Sequence, residues 1–168
     1  MIETERLRIQ PLTYDQLIKY IQLDGSLETE LNLKKTSRSI SPDLKEALEQ
    51  TILPAVADKS RNYLFSTLWT IILKAENKIV GDLCFFGEPN ADGEIEIGYG
   101  TYTEFQGKGY MAEAVRGIIS WAARQPTVKS IIAHSDQSNT ASCKVLEKNN
   151  FVRVGESDKL ITFKLNIR

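Results

Sequence analysis

The chain has 168 residues, and its 21 lysines and arginines nearly balance its 22 aspartates and glutamates, for a formal net charge of −1. A chain of this length buries roughly 70% of the surface that it exposes when unfolded, so one domain over residues 1–168 needs neither a metal nor a disulfide to fold. No block of five like charges occurs, which argues against nucleic acid or lipid headgroups as electrostatic partners.

The two cysteines, Cys84 and Cys143, lack the CxxC spacing of a metal or redox site. We interpret them as reduced, unpaired thiols and predict no metal site. The N-terminus is charged from Glu3 onward, unlike a signal peptide, and no apolar run approaches the roughly 18 residues that span a bilayer. These features predict a soluble, cytoplasmic protein without a membrane partner.

The N-terminal region predicts one strand and then a short helix. "TERLRIQPL" alternates Leu7 and Ile9 with charged residues, which is typical of a half-buried strand. Thr13 and Gln16 have the spacing of a capping box ahead of "QLIKYIQ". We therefore expect the helix to begin directly after Thr13.

Residues 25–40 are polar and weakly patterned, so they predict no regular element. Ser41 and Pro42 are typical of the N-cap and first position of a helix, and apolar residues recur at helical spacing as far as Val56. Pro54 lies inside this pattern and should kink or divide the helix.

The rest of the chain alternates strands with two further helices. Three strands are joined by a turn at Glu76-Asn77 and by the loop "EPNADG". A glycine-rich loop and helix, the strand "VKSIIAHS", the helix "NTASCKVLEKNN" and an antiparallel hairpin follow. The order predicts an α/β (α+β) fold with one mixed, mostly antiparallel sheet of about seven strands and about four helices.

The loop "QGKGYM" opens directly into a helix. Gly107 and Gly109 permit backbone conformations that other residues disfavour, and they let a ligand approach the main chain. The helix behind them presents unpaired N–H groups and the positive end of its dipole. The pattern favours a phosphate or pyrophosphate site, with Lys108 as a charge at its rim.

Two nucleotide motifs built on the same physics fit poorly. A P-loop requires a lysine where Tyr110 stands, and the dinucleotide motif GxGxxG requires a third glycine near Glu113. The loop therefore favours a phosphorylated ligand other than a simple nucleoside triphosphate.

The loop resembles the Q/R-x-x-G-x-G/A signature with which GNAT acetyltransferases bind acetyl-coenzyme A (acetyl-CoA). "NTASCKVLEKNNF" (139–151) is similar to the second motif of that family, and "TERLRIQPLT" and "EIGYGT" resemble the branch of ribosomal-protein N-terminal (alanine/serine) acetyltransferases. The likeness extends from Thr4 to the last hairpin. It implies an N-acetyltransferase domain over residues 1–168, with acetyl-CoA as cosubstrate.

The resemblance also implies a twisted sheet that splays between the strands at 94–102 and 128–135. The pantetheine arm would bond to the open strand edge, and the pyrophosphate would bind backbone N–H groups of residues 106–111. The residues implied to bind the coenzyme are Tyr99, Gly100, Thr101, Gln106, Gly107, Lys108, Gly109, Tyr110, Met111, Asn139, Ser142 and Lys144.

Two residues depart from the family pattern. Met111 stands where glycine or alanine is usual, which is expected to narrow the cradle. Asn150 replaces the glycine before Phe151, and asparagine is the next best residue for a left-handed helix end.

Acetyl transfer to an amine requires a base, and Glu96 is the first candidate because the family often places a carboxylate on this strand. The alternation of Glu94 and Glu96 with isoleucines equally describes a solvated strand face. His134, the only histidine, is a second candidate base and is predicted to share a face with Ile132; a structural role is the alternative.

Many relatives protonate the departing thiolate with a tyrosine, and Leu146 occupies that position here. Ser142 is the substitute that the ribosomal-protein branch suggests, and a simple helix-start serine is the alternative. Cys143 is a weak candidate for a covalent nucleophile, because the family usually transfers the acetyl group directly in a ternary complex.

The acceptor stays open between a protein N-terminus and a small amino-bearing metabolite. The alternatives to an enzyme are a non-catalytic coenzyme A sensor and a nucleotide-binding module. The chain is predicted to be a monomer or a homodimer, with the edge of the last hairpin as the pairing surface.

Overall fold

The computed structural model describes all residues, 1–168, and has a single sheet of eight strands in the order β1-β2-β3-β4-β5-β6-β8-β7. The strands are β1 (Ile2–Glu3), β2 (Leu7–Pro11), β3 (Leu68–Leu73), β4 (Lys78–Phe85), β5 (Glu94–Thr101), β6 (Ser130–Asp136), β7 (Val152–Ser157) and β8 (Leu160–Asn166). Only β5 and β6 pair in parallel. The predicted mixed, mostly antiparallel sheet is confirmed, and the strand beyond the expected seven is the two-residue β1.

Helices cover parts of both sheet faces. They are α1 (Tyr14–Gln22), α2 (Ser26–Glu30), α3 (Pro42–Ala47), α4 (Leu53–Ala57), α5 (Tyr110–Ala123) and α6 (Thr140–Lys148), with 3₁₀ turns at Tyr63–Phe65 and Thr103–Phe105. The predicted capping box is present, since the side chains of Thr13 and Gln16 each accept from the other's backbone N–H. The short α2 lies in the region that the sequence left without an element.

The helix that begins at Pro42 is not broken at Pro54. A π-helical stretch, Leu48–Ile52, joins α3 to α4 just ahead of the proline. Proline has no N–H and crowds the carbonyl four residues before it, here Gln50, and a wide turn relieves that clash. The predicted disturbance therefore takes the form of a local widening.

The sheet opens between β5 and β6. Only residues 94–96 of β5 pair with β6, and the last register pair is Glu96 with Ile132. Beyond that pair β6 continues against β8, while the rest of β5 pairs with β4 alone. The predicted splay is confirmed, and it leaves one edge of residues 97–101 without a strand partner.

The sheet separates two apolar cores. The larger lies under α5 and α6 and includes an aromatic group of Phe65, Trp69, Phe85 and Trp121, whose ring centroids are 5.2–5.6 Å apart. The smaller joins α1 and the α3–α4 helix to the other face. Each fully buried large apolar side chain contributes roughly 1.5–3 kcal/mol to the free energy of folding. Packing on both faces of the sheet therefore helps to hold the unpaired end of β5 in place.

The strand β7 forms one edge of the sheet and is exposed along its whole length. Both cysteines are unpaired, as predicted. No helix combines the length and the apolar character that crossing a membrane requires.

Candidate active site

The loop before α5 has the backbone conformation that its glycines suggested. Gly107 has φ +74° and Gly109 has φ +80°, values that side-chain-bearing residues rarely adopt. Gly109 is the N-cap of α5, and no side chain caps that helix. Its first N–H groups therefore lack partners within the helix and are available to an anion.

Arg6, from the N-terminal segment, holds this loop in place. Its Nη1 donates to the carbonyl of Lys108 at 3.1 Å, and its guanidinium lies 4.7 Å from the Tyr110 ring centroid. Glu113 accepts from Thr4 Oγ1, from the Arg6 N–H and from Arg6 Nε at 2.6, 2.8 and 2.7 Å. Burial by itself would raise the pKa of Glu113, but these hydrogen bonds lower it below its ordinary value. The carboxylate thus stays charged and holds the arginine.

A cavity of about 540 Å³, which we call the first cavity, lies between the open end of β5, this loop and the N-terminus of α6. Its lining consists of Tyr99, Gly100, Thr101, Phe105, Gln106, Gly107, Gly109, Tyr110, Met111, Ala112, Asn139, Thr140, Ala141, Ser142, Lys144, Val145 and Lys148. It therefore combines an unpaired strand edge, a helix N-terminus and two lysines in one space.

A hydrogen bond crosses the gap at the floor of the first cavity. Tyr99 Oη donates to the Ser142 carbonyl at 3.1 Å and lies 3.0 Å from Ser142 Oγ. Burial raises the pKa of Tyr99 to about 12, despite the hydrogen bond from Ser142. The phenol therefore keeps its proton at neutral pH. Asn139 Oδ1 accepts from the Ser142 N–H at 3.1 Å, which fixes the first turn of α6.

Glu96 and His134 face each other on the sheet face opposite α5. Glu96 Oε1 lies 3.9 Å from His134 Nε2, and each side chain is about one third exposed, at 35% and 37%. His134 Nδ1 contacts Thr162 Oγ1 at 3.0 Å. The predicted orientation of His134 with Ile132, away from the buried Ile131 and Ala133, is confirmed. Neither Glu96 nor His134 lines the first cavity.

A second cavity, of about 570 Å³, opens on the other side of the same strand end. Its walls are mostly apolar and come largely from the α3–α4 helix, from β4 and from the residue after β4, and they include Leu44, Ala47, Ile52, Ala55 and Phe86. The segment Tyr99-Gly100-Thr101 lines both cavities. The two spaces therefore meet at the unpaired end of β5.

Asp82 of β4 lies in the lining of the second cavity and is 7% exposed. Its Oδ2 accepts from the hydroxyls of Tyr20 at 2.6 Å and Tyr102 at 2.8 Å, while its buried Oδ1 has no hydrogen-bond partner. Burial raises the pKa of Asp82 to about 6, although the two hydroxyls and Arg38 oppose the shift. A carboxyl group with this pKa can exchange a proton near neutral pH.

The family model described as "Acetyltransferase (GNAT) domain" matches residues 6–152. The chain belongs to the GNAT acetyltransferase family. The resemblance seen in the sequence is thereby confirmed, and with it the prediction of an acetyltransferase.

Among curated relatives, the uncharacterised N-acetyltransferase YjdG of Bacillus subtilis (strain 168) is 32% identical over 152 residues, which cover 90% of this chain and 89% of YjdG. Among solved structures, the ribosomal-protein-S5-alanine acetyltransferase of Vibrio fischeri has a TM-score of 0.71 and 22% identity, with 98% and 94% of the two chains covered.

The ribosomal L7/L12 α-N-protein acetyltransferase RimL, solved in complex with coenzyme A, has a TM-score of 0.67 and 17% identity over 97% of this chain and 95% of its own. At such identities these two structures show that the GNAT fold is shared.

Eleven of the twelve residues that the GNAT motifs implied for the coenzyme line the first cavity. The exception is Lys108, whose ammonium instead lies 5.5 Å from the Phe105 ring centroid. The structure adds Lys148, one helical turn after Lys144 on α6. Spacing of four residues on a helix places two side chains on one face, and that signal was available in the sequence.

The two departures from the GNAT pattern have distinct outcomes. Asn150 has φ +66° and follows the end of α6, as its left-handed role predicts. Met111 is 6% exposed and packs into the larger core, so it forms an edge of the first cavity while most of its surface is buried.

Sequence reasoning missed Asp82. The signal was present, because "KIVGDLCFFG" places one carboxylate in the middle of an otherwise apolar strand. A buried charge in such a strand is unfavourable unless other groups of the fold hydrogen-bond to it. Charges that are kept in such places are often functional. Its partners Tyr20 and Tyr102 come from other elements, and the local pattern does not reveal them.

Proposed function

We propose that the chain transfers the acetyl group of acetyl-CoA directly to a primary amine, either of a protein N-terminus or of a small molecule. The observation that carries this proposal is the meeting of two cavities at residues 99–101 of β5. One cavity has the features of an anion-binding cleft and the other is apolar. Such an arrangement suits a donor and an acceptor that react across one strand end.

The lining of the first cavity fits the donor. The first N–H groups of α5 and the conformation of Gly107 and Gly109 suit a pyrophosphate. Lys144 and Lys148 add positive charge at the cavity wall. The open edge of β5 offers backbone groups to an amide-containing chain such as pantetheine.

Tyr99 and Ser142 form the best-placed proton donor to the departing thiolate. Ser142 was the predicted substitute for the missing tyrosine of the second motif, and its hydroxyl contacts the phenol of Tyr99. Because burial keeps Tyr99 protonated, a proton that leaves the serine hydroxyl can be replaced from the phenol. We assign the acid role to this pair.

Glu96 and His134 are the bases that the sequence proposed. Their mutual contact would let one carboxylate orient the imidazole, and both are exposed enough to act through water. They lie outside the lining of both cavities, which makes a direct contact with the acceptor less favourable. The buried position of Cys143, at 6% exposed, supports direct transfer rather than an acetylated cysteine.

The proposal is tested first by thermal unfolding with acetyl-CoA, coenzyme A, ATP and NAD in parallel. A ligand at a hundred times its Kd adds about 2.7 kcal/mol of stability. For a domain of this size we expect Tm to rise by roughly 5–10 °C with the coenzyme A forms. Stabilisation by ATP or NAD without an effect of acetyl-CoA would contradict the proposal.

Thiol release from acetyl-CoA in the presence of primary amines is the second readout. We expect release to require both the amine and the folded protein. Tight binding of acetyl-CoA without turnover on any peptide or small amine would instead favour the non-catalytic sensor.

A further inference from the structure

The position of Asp82 places a carboxylate next to the point where the two cavities meet. In the β4–β5 ladder Asp82 is directly opposite Gly100, one of the three residues that line both cavities. Side chains of such pairs share a face of the sheet. Gly100 has no side chain, and a Cβ built there would meet nothing within 4 Å. The strand therefore leaves open space beside the carboxylate.

The chain does not neutralise this carboxylate. The nearby cation Arg38 is committed elsewhere, because its Nε donates to Glu28 at 2.9 Å and its Nη1 to the Tyr20 carbonyl at 3.1 Å. Oδ1 of Asp82 is buried without a hydrogen-bond partner, and burying such an atom is unfavourable, most of all when it carries charge. A ligand with a cationic donor would remove that penalty.

We propose that Asp82 is the residue that receives the acceptor's ammonium group and takes its proton. This inference rests on the proposed function and adds the base that the sequence did not identify. The ammonium N–H bond breaks and its proton passes to the Asp82 carboxylate. The neutral amine nitrogen bonds to the acetyl carbon, and the carbon–sulfur bond breaks. The thiolate takes a proton from the Ser142–Tyr99 pair, and the second proton that the nitrogen loses as it becomes an amide returns to that pair.

The same cavity defines the class of acceptor. Apart from Asp82, the only charged residue in its lining is Arg61, which is exposed and paired with Asp58 at 3.2 Å. The remaining wall is largely aliphatic and aromatic, so additional positive charges on an acceptor would lack partners. The acceptor is therefore a small molecule that carries one primary amine on an apolar carbon skeleton.

Four groups surround Asp82 and bear on its titration. Tyr20 of α1 and Tyr102 after β5 donate to it, Arg38 lies nearby in the segment before α3, and the thiol of Cys84 lies two residues along β4. Burial raises the pKa of the Cys84 thiol to about 12, so it stays neutral near pH 7. Loss of a hydroxyl donor raises the pKa of the carboxyl group further, because that hydrogen bond favours its charged form.

The experiment compares wild type, Asp82→Asn, Glu96→Gln and the matched control Asp92→Asn, whose carboxylate lies in an exposed loop. Each is assayed for acetyl-CoA Kd and for thiol release with phenethylamine, spermidine and a peptide with a free N-terminal alanine. We expect phenethylamine to have the highest kcat/KM. For it, Asp82→Asn should lower kcat/KM by about 100-fold while donor Kd changes less than about threefold. Asp92→Asn should match wild type.

A pH profile separates a base from a structural group. The acidic limb of kcat/KM should move to higher pH in Tyr20→Phe, which removes one donor but keeps the carboxylate, and this readout stands even if Asp82→Asn does not fold. Ala55→Phe narrows the second cavity, so it should lower kcat/KM for phenethylamine much more than for methylamine. Equal impairment of both would overturn the assigned acceptor class.

The outcomes distinguish this inference from the proposed function. Absence of acetyl-CoA binding, or of turnover with every amine, would overturn both. Normal turnover by Asp82→Asn, an unmoved limb in Tyr20→Phe, or a larger loss in Glu96→Gln would overturn only the role of Asp82. Preference for spermidine or for the peptide would overturn the apolar small-molecule acceptor.

Discussion

The two cavities that meet at β5 are of nearly equal size, about 540 and 570 Å³, yet they are built in opposite ways. The first is formed largely by one glycine loop and the first turns of two helices, so much of what it offers is backbone. The second is formed by side chains from segments far apart in sequence. The first should therefore tolerate side-chain changes that keep its backbone, whereas single side chains should govern the second.

The largest effect is expected where the backbone of the first cavity is altered. Gly109→Val places a β-branched residue at φ +80°, a conformation that is unfavourable by roughly 1–2 kcal/mol and that displaces the N–H groups of α5. We expect Kd for acetyl-CoA, measured by calorimetry, to rise by about 100-fold, which is a loss of about 2.7 kcal/mol of binding free energy.

A matched control is Gly25→Val, at φ +82° ahead of α2 and outside the first cavity. It should lose similar stability and keep the donor Kd of wild type. If both variants weakened donor binding alike, the effect would be general destabilisation rather than loss of the cradle.

In the second cavity a single side chain, rather than the backbone, should have the main effect. We expect Asp82 to lower the stability of the folded protein near neutral pH while it serves the proposed reaction. The pKa of Asp82 is raised from 3.8 to about 6 in the folded protein. Its contribution to stability is therefore complete below pH 4 and is lost as the pH rises through 6. Asp82→Asn lacks this loss, so its stability relative to wild type should increase by about 2–3 kcal/mol between pH 4 and pH 7.

Urea unfolding of ligand-free wild type and variant at both pH values measures this difference. A constant offset between the two proteins across the range would show that the carboxyl group titrates normally.

The hydrogen-bonded contact between Tyr99 and Ser142 offers a sharper test of the proposed acid pair at the first cavity. Tyr99→Phe and Ser142→Ala each remove one hydroxyl of the proposed acid pair and leave the backbone cradle intact. We expect kcat to fall by about 10–100-fold in each, with donor Kd little changed, in steady-state thiol release. The double variant should lose little more than either single one, because the two hydroxyls act together. Additive losses would show that they act separately.

The smallest effect is expected from the lysines of α6. Lys144→Gln and Lys148→Gln together remove two exposed charges from the first cavity. Exposed charges are screened by salt, so we expect only about a threefold to tenfold rise in donor Kd at low ionic strength, and less at high salt. Lys159→Gln, in the turn of the last hairpin, is the control. A larger, salt-independent effect would indicate that the lysines bind the donor directly.

Much of the first cavity could be predicted from sequence because its determinants are local. The two glycines of its loop fix their own backbone within a few residues. Outside this cavity, the capping residue Thr13 and the left-handed Asn150 do the same. The splay of the sheet between the strands at 94–102 and 128–135 followed from the family resemblance, and the structure confirms it.

The rest depends on contacts between distant residues. Tyr20 meets Asp82 across 62 positions, and Arg6 reaches Lys108 across 102. Periodicity and spacing in the sequence do not predict these two contacts, because they form only when the distant segments pack together in the folded chain.

The division of the interior into two cores has a consequence for divergence within the family. The first cavity rests on the larger core, the α3–α4 wall of the second cavity rests on the smaller one, and Tyr102 is the side chain that packs against both cores. Substitutions in separate cores combine nearly additively. With the proposed division, in which the first cavity holds the acyl donor and the second the amine, substitutions around the second cavity can exchange one amine for another and leave the donor site unchanged.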